Sequence, residues 1–286
     1  MSNGSGPIGV FDSGVGGLTV LRALRAVLPA EEFFYLGDTA RLPYGTKSAE
    51  SVVRYSLQCA QALIDRGIRC LVVACNTASA SALDALRRRH PDVPIIGVIE
   101  PGAAAAVAAS RTQHIAVIAT EGTVAGGAYQ TAIHRLNAQA RVTARACSLF
   151  VALAEEGWVE GPIAEAVARR YLESIFPAAG VTGAAGVTAA AEEALHGLPD
   201  TLVLGCTHFP ALQTAFRAVL PEHIQIVDSA ATVAAAVARE FALRMRAPGR
   251  GGVTWLATDG AARFARVSGV FLGEPLRPDE IKIIDL

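Results

Sequence analysis

Residues 71–77 read LVVACNT, and residues 202–208 read LVLGCTH. The two segments align without a gap, and the alignment pairs Cys75 with Cys206. In each segment an apolar run precedes a cysteine and two polar residues. Runs that are apolar at nearly every position are typical of strands buried on both faces of a parallel sheet. The repeat therefore predicts two similar lobes, each with one cysteine at the end of an equivalent strand.

An alternation of short apolar runs and longer helical stretches supports the same fold. A weaker repeat pairs residues 8–14 with residues 116–122. The predicted strands are residues 8–11, 33–36, 71–74, 95–98, 115–119, 202–204 and 224–227. Helical periodicity is found between them, in residues 18–28, 49–66 and 79–89. The pattern predicts an α/β fold of two similar lobes, each a mainly parallel sheet flanked by helices, with the active site in the cleft between them.

The chain is expected to cross between the lobes twice. The first lobe is predicted to contain residues 1–100 and 224–286, and the second lobe residues 101–223. We place the first crossing at the turn-rich segment Glu100-Pro101-Gly102. After the second crossing, residues 224–228 are predicted to return to the first lobe, and the helix that follows, up to Met245, is predicted to dock on it.

Composition and charge exclude several classes of protein. The 286 residues are 52% hydrophobic with a mean hydropathy of +0.37, which excludes global disorder. A total of 25 Lys and Arg against 26 Asp and Glu gives a net charge of −1, so we expect no nucleic-acid partner. The sequence has no apolar run of spanning length and no signal-peptide pattern near Met1. We therefore expect a cytoplasmic protein without a membrane partner.

The five cysteines fit neither a disulfide framework nor a metal site. Their number is odd, no two form a Cys-x-x-Cys pair, and no histidine lies at zinc-finger spacing. We expect no metal and no cofactor. Cys59, Cys70 and Cys147 are predicted to be core residues, because a buried free cysteine behaves as a small hydrophobic side chain.

Cys75 and Cys206 are the candidate reactive groups. Each ends a predicted strand and opens a predicted helix, so both thiols should point into a crevice at the carboxyl edge of a sheet. A helix N-terminus favours the thiolate, which predicts a lowered thiol pKa. One thiol alone would suggest acyl transfer, whereas two opposed thiols can remove a proton from one face of a molecule and return a proton to the other. This arrangement predicts inversion of a stereocentre without a cofactor.

Several polar residues near these cysteines each have two possible roles. Asp12 is either a helix cap or a group that orients an ammonium or tunes the first cysteine. Asp38 has similar alternatives. Residues 44–45 form either a loop that closes over a ligand or a plain surface turn. His208 is either the proton partner of the second cysteine or a structural histidine whose ring nitrogens are hydrogen-bonded within a packed turn.

Six segments, in order over most of the chain, carry a resemblance to a known family. They are residues 8–18 (IGVFDSGVGGL), 37–41 (GDTAR), 43–45 (PYG), 74–79 (ACNTAS), 97–102 (GVIEPG) and 205–208 (GCTH). These segments resemble those of the glutamate racemases, cofactor-independent enzymes that supply D-glutamate for peptidoglycan. The resemblance implies two α/β lobes with the active site between them, glutamate as the substrate, and a homodimer.

The resemblance also implies a role for each matching residue. Cys75 and Cys206 resemble the two catalytic acid/bases, one for each enantiomer. Asp12 is also expected to take part in catalysis. Glu155 matches an acidic residue that assists the second cysteine together with His208. The residues that resemble substrate-binding positions are Asp12, Ser13, Tyr44, Gly45, Asn76, Thr77, Thr120, Thr123, Thr207 and His208.

The sequence departs from the family pattern at a few positions. Ser148 and Ala152 stand where prolines are usual, and Phe209 replaces a common tyrosine. The Gly- and Ala-rich residues 176–191 form a longer stretch that is typical of a loop or an insertion. The alternatives to glutamate racemisation are racemisation of aspartate, a cysteine-dependent hydrolase or amidase, and a non-catalytic amino-acid sensor.

Overall fold

The computed structural model describes residues 6–177, 197–242 and 251–286. In these ranges the strands are β1 (Ile8–Asp12), β2 (Glu32–Gly37), β3 (Cys70–Val73), β4 (Ile95–Gly97), β5 (His114–Ala119), β6 (Arg141–Ala146), β7 (Thr201–Gly205), β8 (Gln225–Asp228), β9 (Gly252–Ala257) and β10 (Ile281–Ile283). The α-helices are α1 (Leu18–Val27), α2 (Ala49–Ile64), α3 (Asn76–Arg89), α4 (Ile99–Ala109), α5 (Glu121–Ala125), α6 (Ala128–Leu136), α7 (Leu149–Glu155), α8 (Pro162–Leu172), α9 (Gln213–Val219), α10 (Ser229–Ala242) and α11 (Ala261–Leu272). Short 3-10 helices cover Tyr44–Thr46, Phe209–Leu212 and Pro278–Glu280.

The strands form two parallel sheets, which confirms the predicted α/β fold. The larger sheet has the order β10-β9-β2-β1-β3-β4, and the smaller has the order β6-β5-β7-β8. Every pairing between neighbouring strands is parallel. Alternate residues of β1 pack into different core clusters, with Ile8 and Val10 in one and Phe11 in the other. The strand is therefore apolar at nearly every position because both of its faces are covered.

The two sheets contain the same four-strand unit. The order β2-β1-β3-β4 in the larger sheet corresponds to β6-β5-β7-β8 in the smaller one. The two sequence repeats fall on corresponding strands, because β1 corresponds to β5 and β3 corresponds to β7. The sequence repeat therefore reflects two copies of the same strand arrangement, one in each sheet.

The prediction that residues 224–228 return to the first lobe is wrong. Strand β8 pairs with β7 in the smaller sheet, with Thr201 opposite Gln225. It completes the second four-strand unit in the same way that β4 completes the first, and the chain rejoins the larger sheet only with β9. The following helix α10 packs against α1, as predicted, over the part that the structure describes.

The predicted turn at Glu100-Pro101-Gly102 is also wrong, because these residues lie within helix α4. Pro101 is the third residue of that helix, and proline is tolerated in the first turn, where its missing N–H would have no helical partner. Helix α4 packs on α6, β7 and β8 and so links the larger sheet to the smaller one.

Strand β6 was missed because it lacks an apolar run. Its sequence RVTARA carries two arginines, and its residues are exposed or half-buried at the edge of the smaller sheet. The Gly- and Ala-rich stretch at residues 176–191 lies, from residue 178 onward, outside the described residues. Within the described ranges, no helix combines the length and apolar character that a membrane crossing requires.

Candidate active site

Both cysteines of the sequence repeat lie just beyond the carboxyl ends of corresponding strands. Cys75 follows β3 and is the N-cap of α3, where its Sγ accepts a hydrogen bond from the backbone N–H of Ala78 at 3.5 Å. Cys206 follows β7, but the expected helix does not begin there. A turn and a short 3-10 helix that contains Pro210 come first, and α9 starts only at Gln213. Both thiols are nearly buried, with exposed fractions of 5% and 6%.

Residues 13–17, between β1 and α1, form a glycine-rich loop that we call the glycine loop. Cys75 lies beside this loop. Its thiol donates to Ser13 Oγ at 3.6 Å. Burial and the negative charge of Asp12 raise the pKa of Cys75 to about 12, and the charge of Cys206 acts in the same direction. The predicted lowering of this pKa is wrong, because desolvation of a buried thiolate outweighs the helix N-terminus. Gly16 of the same loop packs against His208 and Thr207, so the loop that contacts Cys75 also contacts the two residues that follow Cys206.

Cys206 begins a chain of polar contacts that runs to the protein surface. Its Sγ lies 3.8 Å from His208 Nδ1, and His208 Nε2 lies 3.2 Å from Glu155 Oε1. Arg263 Nη2 donates to Glu155 Oε2 at 2.6 Å. Glu155 lies at the end of α7, and Arg263 on α11 was not identified from the sequence.

The ionised groups in this series of contacts stabilise one another. Burial lowers the pKa of His208, but its bonds with Cys206 and Glu155 and the charge of Asp12 raise that pKa to about 10. Burial raises the pKa of Glu155, yet His208 and Arg263 hold it below its ordinary value. His208 is therefore an imidazolium paired with a carboxylate at neutral pH.

Asp12 carries a buried carboxylate oxygen that is free to bind a ligand. Its Oδ2 accepts from the backbone N–H of Gly14 at 2.9 Å, which fixes the glycine loop. Its Oδ1 has no hydrogen-bond partner among the described residues, although the side chain is fully buried. Burial raises the pKa of Asp12, against the charge of His208. A buried acceptor without a partner is costly, so a cationic ligand group would satisfy it.

Asn76 provides the matching donor. Its Oδ1 accepts from the hydroxyl of Tyr129 at 2.8 Å, and its buried Nδ2 has no hydrogen-bond partner among the described residues. Tyr129 lies on α6, more than fifty positions away in the sequence, and was not predicted. The site thus presents one free acceptor and one free donor beside two thiols, which suits the ammonium and the carboxylate of an amino acid.

Three threonine hydroxyls form a closed triangle across the two sheets. Thr77 on α3 lies 2.9 Å from Thr120 and 3.1 Å from Thr123, which lie 3.0 Å apart at the start of α5. A second contact crosses from α1, where the hydroxyl of Thr19 donates to the carbonyl of Thr207 at 3.0 Å. These bonds hold the edges of both sheets together around the cysteines.

Comparison with known proteins agrees with this geometry. A family model described as Asp/Glu/Hydantoin racemase matches residues 8–237. The chain belongs to this racemase family. The glutamate racemase of Geobacter metallireducens is 46% identical over 272 residues, which are 94% of this chain and 93% of that protein.

Two solved racemase structures have the same fold over nearly their whole length. The glutamate racemase of Francisella tularensis in complex with D-glutamate is 30% identical, has a TM-score of 0.85 and covers 99% of this chain and 98% of that one. The glutamate racemase of Thermus thermophilus is 39% identical, has a TM-score of 0.82 and covers 100% of this chain and 99% of that one. These matches confirm the family resemblance drawn from the sequence segments.

The loop with Tyr44 and Gly45 approaches the candidate site through its backbone. The Tyr44 ring is fully buried, and its hydroxyl donates to Asp38, which also pairs with Arg41. Tyr44 and Asp38 therefore anchor the loop. Gly45 packs so closely on Thr120 that an added Cβ would lie 2.7 Å from the Cβ of Thr120.

The cleft of this racemase is closed around the site. Gly16 of the glycine loop has no space for a side chain, because an added Cβ would lie 2.3 Å from His208 Nδ1. A cavity of about 160 Å³ remains next to Glu155, bordered by Val15, Leu42 and Arg263.

The other three cysteines lie in the core of the protein. Cys59, Cys70 and Cys147 are buried and free, as predicted for core residues. In the ranges that the structure describes, no three residues among His, Cys, Asp and Glu are grouped to hold a metal ion.

Proposed function

We propose that the protein interconverts L- and D-glutamate, with Cys75 and Cys206 as the two acid/base groups. The observation that carries this proposal is the pair of buried thiols at the ends of corresponding strands, on two segments that both contact the glycine loop after β1. The similarity to proteins named glutamate racemase, one of them in complex with D-glutamate, supports glutamate as the substrate.

In this mechanism the amino acid lies between the two thiols. One cysteine, as a thiolate, removes the proton from the α-carbon, and the electron pair of the broken C–H bond spreads into the α-carboxylate. The opposite cysteine, as a thiol, then donates its proton to the other face of the α-carbon. The products are the opposite enantiomer and an enzyme in which the two cysteines have exchanged protonation states.

The polar groups around the thiols would hold the substrate in place. Asp12 Oδ1 would accept from the substrate ammonium, because it is a buried acceptor without a partner among the described residues. Asn76 Nδ2 would donate to a carboxylate, together with the neighbouring Thr77 and Thr207. Ser13, Gly45, Thr120 and Thr123 would complete the binding surface.

Burial of the thiols serves the chemistry as well as the binding. The α-proton of an amino acid is only weakly acidic, so an effective base must have a high affinity for protons. Desolvation raises the pKa of Cys75 to about 12, which makes its thiolate a stronger base than an exposed one. The substrate ammonium would offset the charge of Asp12 and so help Cys75 to ionise.

The wider role follows from the family resemblance. We place the activity in the cytoplasm, where D-glutamate would be supplied for peptidoglycan synthesis, and we propose that the protein is a homodimer. Cys-dependent hydrolysis is less consistent with the site, because a hydrolase uses one nucleophilic thiol, whereas this site has two in corresponding places.

The test is racemisation in D2O with separate L- and D-glutamate and L- and D-aspartate samples. Circular dichroism follows inversion, and proton NMR follows deuterium entry at the α-carbon. Cys75→Ala and Cys206→Ala should each reduce kcat by about 1,000-fold or more, because each removes one of the two proton-transfer groups. Cys147→Ala, a substitution of a buried cysteine outside the site, is the matched control and should retain activity.

Three results would contradict the proposal. Normal turnover in either single variant would exclude the two-thiol mechanism. Inversion without deuterium entry would exclude exchange of the α-proton with solvent through the thiols. Faster turnover of aspartate than of glutamate would move the substrate assignment to the alternative amino acid.

A further inference from the structure

We propose that Arg263 is a positioning residue for the second acid/base group, which holds Glu155 in the orientation that His208 and Cys206 require. The inference rests on the proposed function, since it concerns the proton transfer carried by Cys206. Arg263 would not touch the substrate. It would act through three successive contacts.

The contacts form an unbroken chain from the surface to the thiol. Arg263 Nη2 lies 2.6 Å from one oxygen of Glu155, whose other oxygen lies 3.2 Å from His208 Nε2. The remaining ring nitrogen of His208 lies 3.8 Å from Cys206 Sγ. Each oxygen of the carboxylate thus has its own partner, so removal of Arg263 frees the Glu155 side chain to rotate away from His208.

The partners come from different parts of the fold. Helix α11, which carries Arg263, packs on α1 and β10 beside the larger sheet. Glu155 and His208 lie on segments that flank the smaller sheet. The same helix supplies Phe271, whose ring meets the His208 ring edge-on with the centroids 5.0 Å apart. Helix α11 therefore supports the His208 side chain with one residue and the Glu155 carboxylate with another.

The surroundings of Glu155 explain why it needs this partner. Its side chain is 14% exposed, whereas that of Arg263 is 51% exposed, so the arginine brings a solvated charge to a largely buried carboxylate. The adjoining cavity of about 160 Å³ gives the carboxylate space to move when the arginine is absent. Charge-assisted bonds of this type are stronger than neutral ones and fix direction as well as distance.

The titratable groups around the pair predict the effect on pH dependence. Glu155 faces His208 and Arg263, and Asp259 lies on the rim of the same cavity. His208 faces Cys206, Glu155 and, at longer range, Asp12. Without Arg263, the pKa of Glu155 rises, and His208, which loses a fixed carboxylate, becomes easier to deprotonate. The pH range in which the pair is ionised becomes narrower at both ends.

The experiment compares kcat, KM and the pH profile of kcat/KM for the whole protein and three variants. In Arg263→Ala, we expect kcat for glutamate to fall about tenfold with little change in KM, and both limbs of the profile to move inward by about 0.5 to 1 pH unit. Arg263→Lys, which keeps the charge, should recover part of both effects. Arg266→Ala removes an exposed arginine of the same helix that makes no hydrogen bond or ion pair with another described residue, and it should behave like the parent protein.

The outcome is decisive in each direction. A purely structural role predicts a lower melting temperature with an unchanged pH profile, and that result would overturn the inference. It would also be overturned if kcat stayed within about twofold of the parent value, or if Arg266→Ala caused the same loss. If the unaltered protein racemises glutamate and needs both cysteines while Arg263→Ala is unaffected, only this inference fails. If the unaltered protein does not racemise glutamate, the proposed function fails first.

Discussion

Asp12 and Asn76 are the residues at which the site is left incomplete. The buried Oδ1 of Asp12 and the buried Nδ2 of Asn76 have no hydrogen-bond partner among the described residues, while their other polar atoms are bonded. A folded protein seldom leaves such groups unpaired, because each costs about 1 to 3 kcal/mol. A ligand with an ammonium and a carboxylate would recover that cost on binding, and the donor and the acceptor would also fix its orientation.

Tyr129 is expected to set the orientation of the Asn76 amide. Its hydroxyl donates to Asn76 Oδ1, which leaves both amide hydrogens free for a carboxylate. In Tyr129→Phe the amide can flip, so we expect KM for glutamate to rise about fivefold, the equivalent of one ordinary hydrogen bond, with a smaller change in kcat. Steady-state kinetics measure both values, and Tyr171→Phe, at a ring that packs on Phe150, is the control. An unchanged KM in Tyr129→Phe would show that the tyrosine does not orient the amide.

At the scale of secondary-structure elements, the sequence predicted the strands that carry the cysteines but not the contacts between elements. The apolar runs before Cys75 and Cys206 identified β3 and β7 because strands buried on both faces leave a clear pattern. Edge strand β6 left none, since it is half-exposed. The position of β8 was also missed, because membership of a sheet depends on pairing over a distance and not on local sequence.

Contacts between residues that are distant in the sequence also escaped prediction at the candidate site. The sequence placed Cys206 and His208 together because they are two positions apart. Arg263 was not found, since its contact with Glu155 joins residues more than one hundred positions apart. From the residues alone Glu155 resembled a solvated helix residue, and only the family resemblance marked it. The pKa of Cys75 was predicted in the wrong direction because the depth of burial cannot be read from a helix-capping position.

The glycine loop between β1 and α1 is the element on which the close approach of the two lobes depends. An added Cβ at Gly16 would lie 2.3 Å from His208 Nδ1 and 2.6 Å from Thr207 Oγ1, so Gly16→Ala must displace the turn that follows Cys206. We expect kcat to fall about 100-fold, because a shift of about 1 Å in a catalytic group has that effect. Gly14→Ala in the same loop meets Leu42 only at 3.5 Å and should cause a much smaller loss. Equal activities of the two variants would show that the contact with His208 is not needed.

At the scale of the whole molecule, the closed cleft couples binding to the arrangement of the two lobes. The residues proposed to bind substrate are almost all buried, and the threonine triangle of Thr77, Thr120 and Thr123 joins elements of both sheets. The same closure places an imidazolium, His208, in the interior between Glu155 and Cys206. The stability of the whole protein should therefore depend on the protonation of this one residue.

The pH dependence of stability tests that coupling. The pKa of His208 is raised from an ordinary value of 6.5 to about 10 in the folded protein, so folding strengthens proton binding. Its contribution to stability is complete below pH 6.5 and is lost as the pH rises toward 10. Between about pH 7 and 8 we expect the free energy of unfolding to fall by up to about 1.4 kcal/mol per pH unit, the limit for one proton. Folding also raises the pKa values of Cys59, Cys70, Cys75 and Cys147, and these thiols add to the slope once the unfolded chain ionises near their ordinary pKa of 9, so the window ends below that value. Denaturant unfolding under reducing conditions should show that His208→Gln loses most of this slope, whereas substitution of the exposed His223 by Gln keeps it. A slope that is the same in all three proteins would mean that His208 is not held as a buried imidazolium.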